Sequence, residues 1–234
     1  EAEDAVRGGC MHVVLHDKNV AAKRAPIPMI LATGGVHTHL VRQQLRTFTS
    51  LNVRSAECLD IHYFAVLVGV GATTVNAYLA QEAVADRHRR GLFGAATLGE
   101  CIKRYKEAAG KGVLKVMSKM GISIVSSYRG GCNFEAVGLS RSLVGEFFPG
   151  MTSRISGIGL AGIQEKVLAL HARAFDEDAV ALPVGGFYRY RKGGETHAWE
   201  AGLIHTLQAA VQKDSYATYK KYSEGVRRLP PVAL

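Results

Sequence analysis

Phe64-Ala65-Val66-Leu67-Val68-Gly69-Val70-Gly71-Ala72 is the stretch on which the fold turns. It is apolar without alternation and rich in valine, and it ends in two glycines one residue apart. An apolar run of that length bounded by a glycine turn reads as a strand buried on both faces. Residues 74–89 then read as a helix. The same order of strand, glycine turn and helix recurs at Pro28–Thr33, Gly34-Gly35 and Val36–Arg46, where apolar side chains at 36, 40, 41 and 45 keep helical spacing. Met11–Leu15, Leu51–Arg54 and Ile122–Ser127 read as further short strands. Strands of this kind belong to a parallel sheet covered by helices. The predicted class is α/β, with three βα units and part of a fourth.

Outside these units, residues 97–120 read as one or two amphipathic helices, broken near Gly110 and Gly112. Residues 134–148 hold short helical pieces ended by Pro149-Gly150. Ile163–Phe175 is a helix, with apolar positions at 163, 167, 168, 170 and 174. The last third changes character. Phe187-Tyr188-Arg189-Tyr190-Arg191 alternates aromatic and basic residues, Lys192-Gly193-Gly194 signals a turn, and Glu195–Trp199 is the returning arm of a predicted hairpin. Helices over 203–212 and 216–226 follow.

The chain has 234 residues, of which 47% are apolar, enough to build a core and too many for a disordered chain. No apolar run reaches the roughly 18–20 residues of a membrane span. The opening Glu1-Ala2-Glu3-Asp4 lacks the pattern of a signal peptide. We therefore expect a soluble, cytoplasmic protein. The absence of a first Met, and the Pro230-Pro231 near the end, lead us to expect a piece of a longer polypeptide. Four scattered cysteines, at 10, 58, 101 and 132, form no C-x-x-C pair and read as free thiols rather than as a structural zinc site or complete iron–sulfur site. The net charge of +9 is spread over several elements without a nucleic-acid motif, which points to solvated faces and acidic neighbours.

Several motifs carry two readings. Gly69-x-Gly71 is either a phosphate cradle at a helix start or a tight βα turn, and the third glycine of the full fingerprint is replaced by Thr74. His37-Thr38-His39 places two imidazoles two residues apart, for a metal or for local hydrogen bonding; His62 is a distant candidate third ligand. Ser126–Gly131 is predicted to follow a strand, at the edge where α/β folds bind ligands. Its Arg129 could hold an anion, and Met151–Gly157, with Arg154, is a second loop of the same composition. Glu195 and His197 are predicted to share one face of the hairpin arm, a geometry for acid–base work or an ordinary surface pair.

Val113 to Gly131, with Met117-Ser118-Lys119-Met120-Gly121 before the apolar run and Ser127-Tyr128-Arg129-Gly130-Gly131 after it, matches no generic fold rule. It resembles the central domain of the large subunit of glutamate synthase. So do Asn133–Leu139, Arg24–Pro28, Leu31–Leu40, Phe64–Ala72, Tyr78-Leu79-Ala80, Phe148–Ile155 and Gly193–His197. The family often has a third histidine beside His37-Thr38-His39, and often Ser where His16 stands.

The resemblance implies a domain shaped as an incomplete (β/α) barrel of the FMN-linked type, over residues 1–229, with 230–234 entering a linker. The parent enzyme implied is a flavoprotein oxidoreductase of ammonia assimilation that makes glutamate from glutamine and 2-oxoglutarate. It uses FMN, an iron–sulfur cluster and NADPH or ferredoxin. Implied partners are the other domains of the large subunit and a small NADPH-oxidising subunit or ferredoxin. None of the family's nucleophile, FMN or cluster motifs falls on this sequence, so no catalytic, cofactor or metal residue is carried over. Arg129, Arg154, Glu195 and His197 are candidates for a domain interface or an internal ammonia path. A flavin-binding domain in its own right and a basic polyanion-binding module remain open as alternatives.

Overall fold

A computed structural model describes residues 1–179, 181–186 and 189–230. The chain divides into two units, Glu1–Phe175 and Asp176–Leu234.

In the first unit, α1 (Ala2–Arg7) precedes β1 (His12–His16), α2 (Met29–Arg42), β2 (Ser50–Arg54), α3 (Ile61–Gly69), β3 (Thr74–Asn76) and α4 (Tyr78–Arg89). The three strands form one parallel sheet in the order β1-β2-β3, with Val13 opposite Leu51 and Val53 opposite Val75. The α/β class and the parallel pairing are thus present, as three successive βα units. The helices α5 (Leu98–Lys119), α6 (Val125–Tyr128), α7 (Arg141–Phe147) and α8 (Leu160–Ala174) complete the unit. Its core joins Met29, Val53, Cys58, Leu67, Ala72 and Ala77 between sheet and helices. A second cluster joins Val70, Ala136, Leu143, Val144 and Phe148.

Three predicted strands are helix or loop instead. The deciding stretch, 64–70, lies in and just beyond α3. Asp60 caps that helix, its side chain accepting from the Tyr63 N–H at 2.8 Å. An apolar run buried all round has no period to tell strand from helix, and here the cap decides. Residues 28–33 are the start of α2. Its first free N–H, that of Met29, is satisfied by the Glu57 carboxylate at 2.8 Å, from 28 residues away. Gly34 and Gly35 do not turn the chain: they lie inside α2, where an added Cβ on Gly34 would stand 2.2 Å from a ring carbon of Phe148. Their missing side chains admit α7. Thr38 Oγ1 and Arg42 Nη2 of α2 then donate to the carbonyls of Phe147 and Glu146 at the end of α7.

Residues 122–127 are also not a strand. Gly121, at φ +71°, ends α5, and the Ile122 N–H returns to the Met117 carbonyl. The short α6 then buries Tyr128, whose hydroxyl donates to the Ala65 carbonyl at 3.0 Å. Helix α5 runs unbroken through Gly110 and Gly112, because Gly112 makes room for Ile61, whose side-chain carbons stand 2.7 Å from where its Cβ would be.

In the second unit, α9 (Ala201–Gln212) packs on α10 (Tyr216–Arg227), with Gly225 leaving space for Leu203. The predicted hairpin is not formed among the described residues. Residues 189–199 are turn and irregular chain, and Phe187-Tyr188 of its first arm lies outside the described residues. Backbone bonds from Glu195 N to Gly185 O at 2.8 Å and from Gly194 N to Arg191 O at 2.9 Å hold a loop instead of a ladder.

Candidate functional site

Arg46 begins a single 3-10 turn, Arg46–Phe48, immediately before β2. Its guanidinium is fixed on three sides. Nη1 donates to Thr49 O at 2.7 Å, Nη2 to Gly71 O at 2.7 Å, and Nε to His37 Nδ1 at 3.0 Å. The last bond requires an unprotonated Nδ1, so the His37 ring carries its proton on Nε2. Two glycines make this packing possible. A Cβ on Gly71, at φ +122°, would stand 2.3 Å from the His37 ring, and one on Gly130, at φ +72°, would stand 3.0 Å from its Cε1 and Nε2.

Arg129 comes to the same place on the loop after α6. That loop is sewn to the end of α3 by Gly130 N–Val68 O at 3.2 Å and Cys132 N–Gly69 O at 3.1 Å, which satisfy helix-terminal carbonyls. Arg129 is exposed, and it lines a cleft of about 500 Å³ with His37, Arg46, Thr47, Phe48, Thr49, Ser50, Thr73 and Ser126. Burial, and then the charges of Arg46 and Arg129, push the His37 imidazole down to about 4. It is neutral at pH 7. Burial and the Arg129 charge also lower the pKa of Arg46, which nevertheless stays charged.

The cleft is not where the sequence placed Arg129. Thr49-Ser50 and Thr73-Thr74 are the starts of β2 and β3, so Arg129 faces the N-terminal edge of the sheet. The opposite edge carries a polar cluster around Asp17 and Glu57. Asp17 Oδ2 accepts from Ser55 Oγ at 3.0 Å and Ala56 N at 2.7 Å, and Glu57 accepts from the Tyr63 hydroxyl.

The other sequence candidates lie apart. Arg154 is exposed, pairs with Glu135 at 3.7 Å and does not line the cleft. In the second unit, Glu195 is exposed, and His197 Nε2 lies 2.6 Å from the Gly186 carbonyl. Without a strand, their shared face is not formed. The histidines also take separate partners: His37 meets Arg46, His39 lies 2.6 Å from Glu3, and His62 packs edge-on to Phe134. Among the described residues, no three His, Cys, Asp or Glu side chains could share a metal ion.

Sequence reasoning found His37 only as part of a histidine pair and did not single out Arg46. The available signal was the run Arg46-Thr47-Phe48-Thr49-Ser50, a lone cation followed by hydroxyls just before a strand.

A parallel βαβαβ sheet under helices, with a basic polar cleft at one edge, defines an α/β domain. The sequence model described as glutamate synthase central domain matches residues 1–140, and the chain belongs to that family. It is 68% identical, over all of its 234 residues, to the glutamate synthase [NADPH] large chain of Azospirillum brasilense. It is 39% identical over 225 residues, 96% of this chain, to the corresponding large chain of Bacillus subtilis (strain 168). It is 35% identical over 241 aligned residues, 98% of this chain, to the chloroplastic ferredoxin-dependent glutamate synthase of Spinacia oleracea. The chain spans 15% of the length of each of these relatives.

Proposed function

We propose that this chain serves as a central domain within a glutamate synthase large chain, connecting catalytic domains without doing chemistry itself. The observation that carries the reading is the family match over residues 1–140 together with 68% identity along the whole chain. The parent reaction would transfer the amide nitrogen of glutamine to 2-oxoglutarate and reduce the product to glutamate. Electrons would come from NADPH through a small subunit, or from ferredoxin, by way of an iron–sulfur cluster and FMN held in other domains.

The role is proposed for residues 1–229, with 230–234 entering the linker, in a cytoplasmic enzyme. The order β1-β2-β3 of the sheet is compatible with one arc of an incomplete (β/α) barrel. Of the four cysteines, Cys58 and Cys101 are buried and Cys10 is exposed. Burial, and then the charges of Glu57 and Asp17, push the Cys58 thiol up to about 12.

As a wall of the route by which nitrogen passes between active sites, the domain would keep ammonia from water and from protonation. Arg129, Arg154, Glu195 and His197 remain proposed interface or path residues. The test is Arg129→Ala in the full enzyme with its electron donor, with glutamine hydrolysis, glutamate formation and donor oxidation measured together. More glutamine consumed per donor oxidised is expected; unchanged coupling overturns the assignment of Arg129.

A further inference from the structure

The residues lining the cleft at the N-terminal edge of the sheet include two guanidinium groups and no carboxylate. Arg46 is held by carbonyl oxygens and a neutral imidazole, none of which cancels its charge. No hydrogen bond or ion pair engages the Arg129 side chain among the described residues. Its charge reaches both His37 and Arg46. Two like charges held beside one half-buried cavity raise each other's energy unless an anion lies between them. Such a cavity concentrates anions, since its low-dielectric walls focus the field.

The rest of the lining fits an oxygen-rich ligand. Thr47, Thr73 and Ser126 bring hydroxyl groups that donate to no other group among the described residues, those of Thr49 and Ser50 already donate to backbone carbonyls, and the His37 Nε2–H is the ring's one donor. Arg46 is rigid before any ligand arrives, so little side-chain entropy remains to be lost there on binding. Arg129 sits at an exposed loop position after α6. The exposed ring of Phe48 forms one wall.

We propose that this cleft is an oxyanion-binding site, in which Arg129 closes a phosphate or carboxylate group against the fixed Arg46. The site needs only the cleft and does not depend on the glutamate synthase reading. Its anion has two possible sources, a free small molecule or an acidic side chain from elsewhere in the parent chain.

The experiment uses the full large chain, wild type and Arg129→Ala, with inorganic phosphate as probe at constant ionic strength. Phosphate binding is followed by equilibrium dialysis, and local stability by hydrogen exchange of peptides covering residues 37–50 and 68–76. If the anion is free, wild type binds phosphate saturably, and Arg129→Ala weakens that binding at least tenfold. Without phosphate, the variant's peptides exchange no faster than wild type, because the substitution relieves the repulsion of Arg46. If the anion is an internal carboxylate, wild type takes up no phosphate there, and Arg129→Ala speeds exchange at low salt, with the difference closing at high salt. No Arg129-dependent phosphate binding, with exchange unchanged or slowed, overturns the proposal. Neither readout involves glutamate formation, so failure here leaves the parent reaction untouched.

Discussion

The ring of Phe148 lies against the bare α-carbon of Gly34, where a methyl group would stand 2.2 Å from the nearest ring carbon. That contact joins α2 to α7 and leaves no slack, since Phe148 is buried in the second core cluster. Gly34→Ala is expected to destabilise the first unit by about 1–3 kcal/mol, the usual cost of overpacking, despite alanine's better helix propensity. Faster hydrogen exchange in both α2 and α7 is the readout. Slower exchange would mean that Phe148 moves aside freely.

His37 predicts a pH dependence with a definite sign. The imidazole takes up a proton near 6.5 when unfolded and near 4 when folded. Between these values the unfolded chain binds more protons, so stability falls as the pH drops through that window and levels off below it. Above 6.5 the contribution is constant. His37→Gln should flatten this part of the curve relative to wild type. Equal slopes in both proteins would show that His37 is not held neutral.

Cys58 should be the inert thiol of the first unit. It is 2% exposed, and its pKa is pushed up to about 12. At pH 8 its thiolate fraction is on the order of 10⁻⁴, and the thiolate is the nucleophile. Labelling with a water-soluble disulfide reagent should modify Cys58 only as fast as the domain opens, and denaturant should release it. Rapid labelling of Cys58 itself in the folded chain would contradict the packing.

Thr97 and Glu100 form a reciprocal capping box at the start of α5, the Thr97 N–H donating to Glu100 at 2.8 Å and the Glu100 N–H to Thr97 Oγ1 at 3.3 Å. Thr97→Ala is expected to cost about 1 kcal/mol. The effect should appear as faster exchange in the first turn of α5, with its buried end at Met117 unaffected. Uniform loosening of the helix would show that the cap sets the whole element.

These residues also mark what the sequence made legible. The strands at 12–16 and 50–54 are short runs close to where they were predicted, and the helices after residue 160 follow their apolar period. The runs at 28–33 and 64–70 misled because burial on every side erases the difference between the two periods. At 64–70 the local signal was present, in Asp60 three residues before the N–H it caps. At 28–33 it was not, since the carboxylate that caps α2 lies far along the chain. The glycines at 34, 35, 110 and 112 read as breaks because sequence shows their flexibility but not the helix or side chain they admit. Arg129 stood out in its motif. His37 stood out only as one of a histidine pair and Arg46 not at all, because the two meet only across the folded turn before β2, and the edge of the sheet they line follows from which runs are strands.

The Glu57 carboxylate that completes the first turn of α2 also has a consequence in time. A ribosome releases Met29 before Glu57, so during synthesis the Met29 N–H lacks the partner that closes the first turn of α2. Its entry turn closes only when β2 has emerged and carried Glu57 into place. The second βα unit therefore finishes the first, and the order of assembly along the nascent chain is written into a single long-range hydrogen bond.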